Sequence, residues 1–192
     1  MFVRAIIGPM GAGKTTALLR CVDIPDIETV VVKHASDDER YGKGLRTHDG
    51  RTVDAISTNK LVSPVVFCAV REALQKSIAN AMSTFILCDE VQFFDPEDVS
   101  AFVKTFEKSA VQMHFAGLES DCHRQPFLST STLVALSDDV QRMSGNCASC
   151  HRPNSSKFTR LKDKNQSELG VGGFEVRRAC FFACFEVVSP RA

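Results

Sequence analysis

A phosphate-loop pattern near the beginning of the chain constrains the fold more than any other feature of the sequence. A short apolar run, Phe2 to Ile7, is followed directly by the letters GPMGAGKT. Gly8, Gly13, Lys14 and Thr15 fill the pattern G-x-x-x-x-G-K-[ST], which is found where a strand hands over to a helix. Glycines allow consecutive backbone N–H groups to curl around phosphate oxygens, and the N-terminus of the following helix adds partial positive charge. The pattern therefore predicts a nucleotide-binding loop.

The side chains of this loop have predicted roles of their own. Lys14 can reach the β- and γ-phosphates, and the Thr15 hydroxyl can ligate the Mg²⁺ that bridges them. The predicted nucleotide contacts within the loop are Gly8, Pro9, Met10, Gly11, Ala12, Gly13, Lys14 and Thr15.

A second motif, which is acidic, follows the apolar run Thr84–Cys88. Its letters, DEVQFF, are residues 89–94. In phosphate-loop enzymes, the acidic group at the carboxyl end of such a strand lies near the Mg²⁺. Adjacent side chains point to opposite sides of an extended strand, so Asp89 and Glu90 can take different roles. We expect Asp89 to serve the metal and Glu90 to act as general base on an attacking hydroxyl. The alternative is that one acid merely caps the next helix, but Asp95 is better placed for that.

Composition limits the class of protein. The chain has 192 residues, of which 44% are hydrophobic, and this suits one domain of ordinary size with a small appendage. No apolar run approaches the ~18 residues of a membrane span, and the first residues do not form a secretory signal. Lys plus Arg equals Asp plus Glu, 23 against 23, which gives no reason to expect a nucleic-acid polymer as partner. Eight cysteines beside a phosphate loop favour a reducing, cytoplasmic location.

The alternation of short strands with amphipathic helices predicts an α/β fold of the phosphate-loop type over residues 1–143. In this fold a mostly parallel sheet is flanked by helices on both faces. The predicted strands are Phe2–Ile7, Glu28–Lys33, Thr84–Cys88, Val111–Ala116 and Asp139–Met143. Two apolar stripes at helical spacing are expected in the core: Val66, Val70, Ala73, Leu74 and Ile78, and then Val99, Phe102, Val103 and Phe106. Residues 34–60 are polar and are expected to form a solvated loop or a mobile lid.

Residues 144–192 differ from the preceding part of the chain because Asn, Ser, Gly and Lys are frequent there. This composition predicts a small second module. Cys147-x-x-Cys150 offers one pair of thiols, and Cys180 and Cys184 offer a second pair. A structural Zn²⁺ takes four such ligands from two short turns. The alternative is two reduced pairs without metal. Cys21, Cys68 and Cys88 fall on apolar elements and are expected to be ordinary buried thiols.

The motifs together resemble one family. GPMGAGKT, DEVQFF and the paired cysteines are similar to thymidine kinases of the cytosolic, zinc-containing type, and the resemblance covers essentially the whole chain. Thr47-His48-Asp49 resembles the family's lid segment, and Arg51 its nearby basic residue. Val171-Gly172-Gly173 resembles the segment, called the lasso, that encloses the nucleoside, so the second module would be a zinc-ribbon and lasso module.

The resemblance implies transfer of the ATP γ-phosphoryl group to the 5′-hydroxyl of thymidine, with deoxyuridine as a further acceptor, to give dTMP for DNA-precursor salvage. It implies Glu90 as the general base, Thr15 and Asp89 as Mg²⁺ residues, and a cytoplasmic homotetramer. Further implied ATP contacts are Asp49, Arg51, Asp89 and Gln92. Implied nucleoside contacts are Met10, Phe93, Leu118, Cys122, Phe127, Gly170, Val171, Gly172 and Arg177. Implied ligands of a structural Zn²⁺ are Cys147, Cys150, Cys180 and Cys184.

The chain departs from the family pattern on the nucleoside side. Cys122 stands where an aromatic residue is usual, Arg177 stands where tyrosine is usual, and the second cysteine pair is spaced Cys180-x₃-Cys184. Two interpretations stay open: a working kinase with an altered pocket, and a catalytically weak or inactive ATP-binding domain that supports an active partner. A phosphate-loop ATPase or GTPase is disfavoured by DEVQFF and by the lack of a guanine-reading N-K-x-D string.

Overall fold

The computed structural model describes residues 1–38, 42, 44–47, 50–161 and 176–179, with the backbone alone for 160, 161 and 176–179. Within these residues the central element is a six-stranded sheet in the order β5-β2-β6-β7-β1-β8, and all the paired neighbours run parallel. The strands are β1 Phe2–Ile7, β2 Ile27–His34, β5 Ile56–Thr58, β6 Ser83–Asp89, β7 Val111–Gly117 and β8 Asp139–Arg142. The predicted parallel α/β sheet is confirmed, and the five predicted strands agree with the observed ones to within a residue at each end.

Helices cover both faces of the sheet. They are α1 Lys14–Leu19, α2 Pro64–Asn80, α3 Pro96–Thr105 and α4 Leu128–Leu136, with short 3-10 turns at Arg20–Asp23, Ala35–Asp37 and Val91–Phe93. Because successive side chains of a strand point to opposite faces, β1 contributes to two apolar clusters. Val3, Ala5 and Ile7 pack with α2, α3 and α4, whereas Ile6 packs with α1 on the other face.

The segment 34–60 contains more regular structure than a solvated loop. Two short strands, β3 Leu45–Arg46 and β4 Thr52–Val53, pair as an antiparallel hairpin. The chain then forms β5, which pairs with the end of β2 from Val32 to His34 and so becomes the edge of the main sheet. These strands were missed because runs of two or three residues are too short to show the alternation that marks a strand.

Two side chains expected to be buried are exposed. The stripe that α2 buries is Val66, Val70, Ala73 and Ser77, spaced by four, three and four residues. Ile78 lies one position beyond this stripe and is 81% exposed, so its assignment to the core is wrong. Cys68 lies two positions past Val66, which turns it away from the sheet, and it is exposed as well. The stripe on α3 is buried as expected, and Cys21 and Cys88 are buried.

The C-terminal part of the chain contributes a second antiparallel pair, β9 Phe158–Leu161 with β10 Val176–Ala179. The division into segments 1–143 and 144–192 stays a prediction. Among the described residues, no helix has the length and apolarity that crossing a bilayer requires.

A buried histidine lies under the sheet on the α1 side. The His114 ring, on β7, is 3% exposed, and its Nδ1 atom lies 3.4 Å from the sulfur of Cys21. Its Nε2 atom finds no hydrogen-bond partner within the described residues, and the Phe85 ring packs at 5.1 Å between centroids. Burial lowers the pKa of His114 to about 4, and the positive charge of Arg4 acts in the same direction against the opposing charge of Asp139. The ring is therefore neutral in the folded chain at neutral pH.

This histidine predicts a pH dependence of stability. Between pH 6.5 and 4 the unfolded chain binds a proton at His114 that the folded chain does not, so the free energy of unfolding falls as pH falls through this window, by at most about 3 kcal/mol. His114→Phe removes the titration and is expected to flatten the fall relative to the unmodified chain, measured by urea unfolding at a series of pH values. His123, which is exposed, provides the control, since His123→Phe should leave the slope unchanged. An equal slope in the His114 variant contradicts the assignment.

Candidate active site

The phosphate loop connects β1 to α1 and packs against the end of β8. The Met143 N–H donates to the Ile7 carbonyl at 2.7 Å, which brings the Met143 backbone against Gly8. A Cβ atom on Gly8 would lie 2.3 Å from the Met143 carbonyl oxygen, so only glycine fits there. At the other end of the loop, the Gly13 carbonyl accepts the Ala17 N–H at 2.9 Å and starts α1. The loop is thus fixed at both ends.

Lys14 is held inside this loop. The ammonium group is buried, and it donates a hydrogen bond to the Pro9 carbonyl at 2.8 Å. Burial lowers the pKa of Lys14, while the negative charges of Glu90 and Asp89 oppose this shift. An anion placed in the loop would supply the further negative charge that a buried ammonium group lacks.

Asp89 and Thr15 meet across the loop. The Thr15 hydroxyl donates to Asp89 Oδ2 at 2.7 Å, and the Glu90 N–H donates to Asp89 Oδ1 at 3.0 Å. Asp89 is only 2% exposed. Burial raises the pKa of Asp89 to about 7, and the charge of Glu90 adds to the rise against the lowering effects of Thr15 and Lys14. A hydroxyl and a carboxylate are oxygen ligands that suit a hard divalent cation, so these two residues fit Mg²⁺.

Glu90 has a backbone conformation that few non-glycine residues adopt. Its φ and ψ angles are 56° and 42°, in the left-handed region, so β6 ends at Asp89 and the chain turns sharply. In an extended strand, as expected from the sequence, the two carboxylates would point to opposite sides. The turn instead brings Asp89 and Glu90 to line one cavity.

This cavity lies at the carboxyl ends of the parallel strands, where ligands of open α/β sheets bind. Its described lining residues are Met10, Gly11, Gly13, Lys14, Thr15, Thr16, Asp37, Leu45, Arg46, Thr47, Asp89, Glu90 and Leu118. The structure thus brings the phosphate-loop lysine and threonine together with both acids and with two predicted nucleoside residues, Met10 and Leu118. Thr16, Asp37, Leu45 and Arg46 were missed, and Thr47 was placed in the lid segment without a predicted contact. The polar composition of residues 34–60 indicated that this segment could face a ligand. Composition does not show which of its polar or charged side chains, such as Arg46 and Thr47, line the cavity.

The two arginines of the β3–β4 hairpin have different surroundings. Arg51 makes a two-pronged ion pair with Asp23, at 2.5 and 2.8 Å, and is not among the described lining residues of the cavity. Arg46 does line the cavity, and within the described part of the chain its guanidinium has no ion-pair partner. Of the two described arginines of this hairpin, Arg46 is therefore the one that lines the cavity.

A buried lysine anchors the hairpin to the sheet. Lys33, at the end of β2, is fully buried, and its ammonium donates to the carbonyls of Gly42 and Gly44. The same ammonium lies 2.9 Å from an oxygen of Asp38 and 3.7 Å from one of Asp37. Removing one partner from a buried ion pair is costly, because it leaves an uncompensated charge. The start of the hairpin is therefore held firmly.

Comparisons with known proteins agree with this arrangement. A family model described as thymidine kinase matches residues 1–185. The thymidine kinase of Rabbit fibroma virus (strain Kasza) is 32% identical over 187 residues, which cover 94% of this chain and 96% of the relative. The thymidine kinases of Variola virus (isolate Human/India/Ind3/1967) and Vaccinia virus (strain Western Reserve) are 31% and 30% identical, and each match covers 95% of this chain and 96% of the relative.

The chain belongs to the thymidine kinase family. Several predicted nucleoside positions of this family lie apart from the cavity lining. Phe93 is half-buried and packs on His34 with ring centroids 5.8 Å apart, while Cys122 and Phe127 are half-buried in and after the turn that follows Leu118. Their assignment as nucleoside contacts stays a prediction.

Other positions predicted from the thymidine kinase resemblance lie outside the described residues. They are Asp49, Gly170, Val171, Gly172, Cys180 and Cys184. Arg177 is described by its backbone alone, in β10 opposite Arg160. One contact that the sequence analysis missed comes from β9: the Met10 N–H of the phosphate loop donates to the Thr159 hydroxyl at 3.0 Å.

The first cysteine pair lies in a tight turn. The Cys147 N–H donates to the Arg152 carbonyl at 3.0 Å, and the Cys147 carbonyl accepts the His151 N–H at 3.0 Å. The Ser149 N–H donates to the sulfur of Cys147 at 3.4 Å, an arrangement that stabilises negative charge on that sulfur. Within the described residues, no group of three or more potential ligands is placed to hold a metal. A zinc site at this turn therefore stays a prediction.

Proposed function

We propose that this chain transfers the γ-phosphoryl group of ATP to the 5′-hydroxyl of thymidine, which gives dTMP and ADP, and that deoxyuridine is a second acceptor. The observation that carries the proposal is one cavity lined by Lys14, Thr15 and Asp89 at one end and by Glu90 and Leu118 beside them. A phosphoryl transfer needs both a triphosphate cradle and a group that can accept the proton of the incoming alcohol.

Each wall of the cavity has a proposed role. Backbone N–H groups of the loop and the Lys14 ammonium would bind the β- and γ-phosphates, while Thr15 and Asp89 would hold Mg²⁺. When bound there, Mg²⁺ supplies positive charge that neutralises phosphate oxygens. Glu90 would take the proton of the 5′-hydroxyl as that oxygen attacks the γ-phosphorus; the bond from the γ-phosphorus to the β–γ bridging oxygen breaks, and ADP leaves. Met10 and Leu118 offer apolar surface for a flat pyrimidine.

The charge balance of the cavity assigns a role to Arg46. Asp89 and Glu90 line the space that the transferred phosphoryl group would occupy, whereas Asp37, also a lining residue, lies with its carboxylate 3.7 Å from the Lys33 ammonium. Lys14 is already engaged by the Pro9 carbonyl. Mg²⁺ held by Thr15 and Asp89 would offset part of this negative charge, and Arg46 would add a further cation, because a guanidinium can bind phosphate oxygens through two parallel hydrogen bonds.

The second candidate function is a weak or inactive ATP-binding domain that supports an active partner. It is favoured by Cys122 and Arg177, which replace aromatic residues on the nucleoside side, whereas Lys14, Thr15 and Asp89 are retained. Nucleotide binding without turnover would distinguish it from the kinase. Assembly into a homotetramer and a cytoplasmic location stay predictions of the family resemblance.

Replacing Glu90 with glutamine tests the proposed base. Glu90→Gln keeps the shape of the side chain but cannot accept a proton, so kcat for thymidine should fall about 10²- to 10⁴-fold while ATP binding is retained. The measurements are dTMP formation and nucleotide binding by calorimetry. Glu97→Gln, on the exposed first turn of α3, is the matched control and should be neutral. An unchanged kcat in Glu90→Gln would show that another group is the base.

The two hairpin arginines provide a paired test of the donor site. Arg46→Gln removes a charge from the cavity and should lower kcat/KM for ATP by about 10- to 100-fold, the effect of losing a charged hydrogen bond. Arg51→Gln breaks an exposed ion pair that typically contributes less than about 1 kcal/mol, so it should change kcat/KM less than about fivefold. Measuring kcat/KM for ATP in both variants by steady-state kinetics shows which of the two arginines contributes to the ATP site. A large effect of Arg51 with none of Arg46 would favour the residue assignment made from the family resemblance.

We further propose that Cys147 and Cys150 hold a structural Zn²⁺ together with Cys180 and Cys184. Protein purified under reducing conditions should contain about one zinc per chain, and Cys147→Ser should release it and lower Tm, because structural zinc contributes directly to folding. Metal analysis by mass spectrometry gives the readout. Cys68→Ser, an exposed thiol on α2, is the control and should retain the metal. A zinc content unchanged by Cys147→Ser would exclude this ligand set.

A further inference from the structure

Gln92, which the resemblance assigns to nucleotide binding, uses both ends of its side-chain amide for hydrogen bonds within the protein. It lies in the short turn after Glu90, is 5% exposed, and is not among the described lining residues. Its amide nitrogen donates to Glu90 Oε2, and its amide oxygen accepts the Leu118 N–H at 2.9 Å. Gln92 therefore bridges two residues that do line the cavity.

The chemistry of its partners leaves only one orientation for this amide. An ionised carboxylate only accepts hydrogen bonds, and a backbone N–H only donates them. Rotating the amide by half a turn would face its oxygen to Glu90 and its NH₂ group to the Leu118 N–H, and both hydrogen bonds would be lost. The bridge thus holds Glu90 in one place for as long as Gln92 stays where it is.

The protein leaves little room for Gln92 to move. A Cβ atom on Gly117 would lie 2.8 Å from the Gln92 amide oxygen and 2.5 Å from Val91, so glycine at 117 makes space for the bridge. Leu118 is fixed at its carbonyl as well, which accepts the Thr130 hydroxyl at 2.8 Å. The far end of the bridge is therefore tied to α4.

Within the described residues, Gln92 is the one hydrogen-bond partner of the Glu90 side chain. A carboxylate on a flexible chain samples several rotamers, and a base that must reach one hydroxyl gains from being held near the productive one. Since the bridge also ends on Leu118, it sets the distance between the base and one wall of the acceptor site.

We propose that Gln92 is a positioning residue for phosphoryl transfer, which holds the Glu90 carboxylate toward the acceptor hydroxyl and links it to Leu118. This inference rests on the proposed function. It differs from a nucleotide contact in what it predicts, because a residue that acts through the base changes the rate of the chemical step and leaves the affinity for ATP unchanged.

The test is a double-mutant cycle between Gln92→Met and Glu90→Gln. Methionine has a similar length and no amide, so kcat should fall about 10- to 100-fold while KM for ATP stays within about twofold, as expected when a catalytic group is misplaced by an ångström. In the Glu90→Gln background the same substitution should lower kcat by less than about twofold, because the base through which Gln92 acts is already gone. If Gln92→Met does not fold, Gln92→Asn carries the same prediction, since its shorter amide cannot reach both partners.

A variant elsewhere separates positioning from general destabilisation. Thr84 donates to the Ser77 hydroxyl at 2.7 Å, in a buried pair near the beginning of β6, at the opposite end of that strand from Asp89. Thr84→Val should lower Tm and leave kcat unchanged. Equal losses in both Glu90 backgrounds, or a rise in KM for ATP with kcat intact, would overturn the positioning role. An unmodified chain without kinase activity would instead overturn the proposed function, and the positioning role with it.

Discussion

The site depends on a carboxylate that the fold removes from water. Asp89 lies at the end of a central strand, next to the phosphate loop. Among the described residues, hydrogen bonds from the Thr15 hydroxyl and the Glu90 N–H, together with the positive charge of Lys14, compensate its burial. A buried carboxylate is unfavourable unless positive charge comes close to it. The positive charge of a metal ion bound with a nucleotide would stabilise the buried carboxylate of Asp89. Ligand binding would therefore stabilise the folded structure around Asp89.

The other walls of the cavity are fixed by backbone geometry rather than by charge. The left-handed turn at Glu90 places its side chain beside Asp89 instead of opposite to it. On the facing wall, the Lys33 ammonium anchors the hairpin that carries Arg46. Residues that are far apart in sequence are thus oriented by three local devices: a glycine-rich turn, a strained turn and a buried ion pair.

The sequence predicted those features that depend on short spacings. Lys14 and Thr15 follow from the loop pattern, and Asp89 follows from an acid at the end of an apolar run, because each motif reports a local backbone requirement. The prediction that Ile78 is buried was wrong because α2 buries Ser77 instead. The Ser77 hydroxyl accepts a hydrogen bond from Thr84 on β6, and the sequence spacing of α2 does not show this contact between two elements. The roles of Arg46 and Gln92 depend on which way a hairpin and an amide face, and sequence spacing carries no information about either.

The contact between Met10 and Thr159 makes two distant parts of the chain mutually dependent. One backbone donor of the phosphate loop is already engaged by a hydroxyl from β9, a buried residue 149 positions away in the sequence. A ligand that drew this N–H toward itself would weaken the attachment of β9, whereas one that left it in place would benefit from a loop already shaped. If phosphate binding weakens this hydrogen bond, then detaching β9 must change the phosphate affinity of the loop by the same free energy, because coupling between two sites is reciprocal. Through this one hydrogen bond, β9 is linked to the backbone that would surround a bound phosphate.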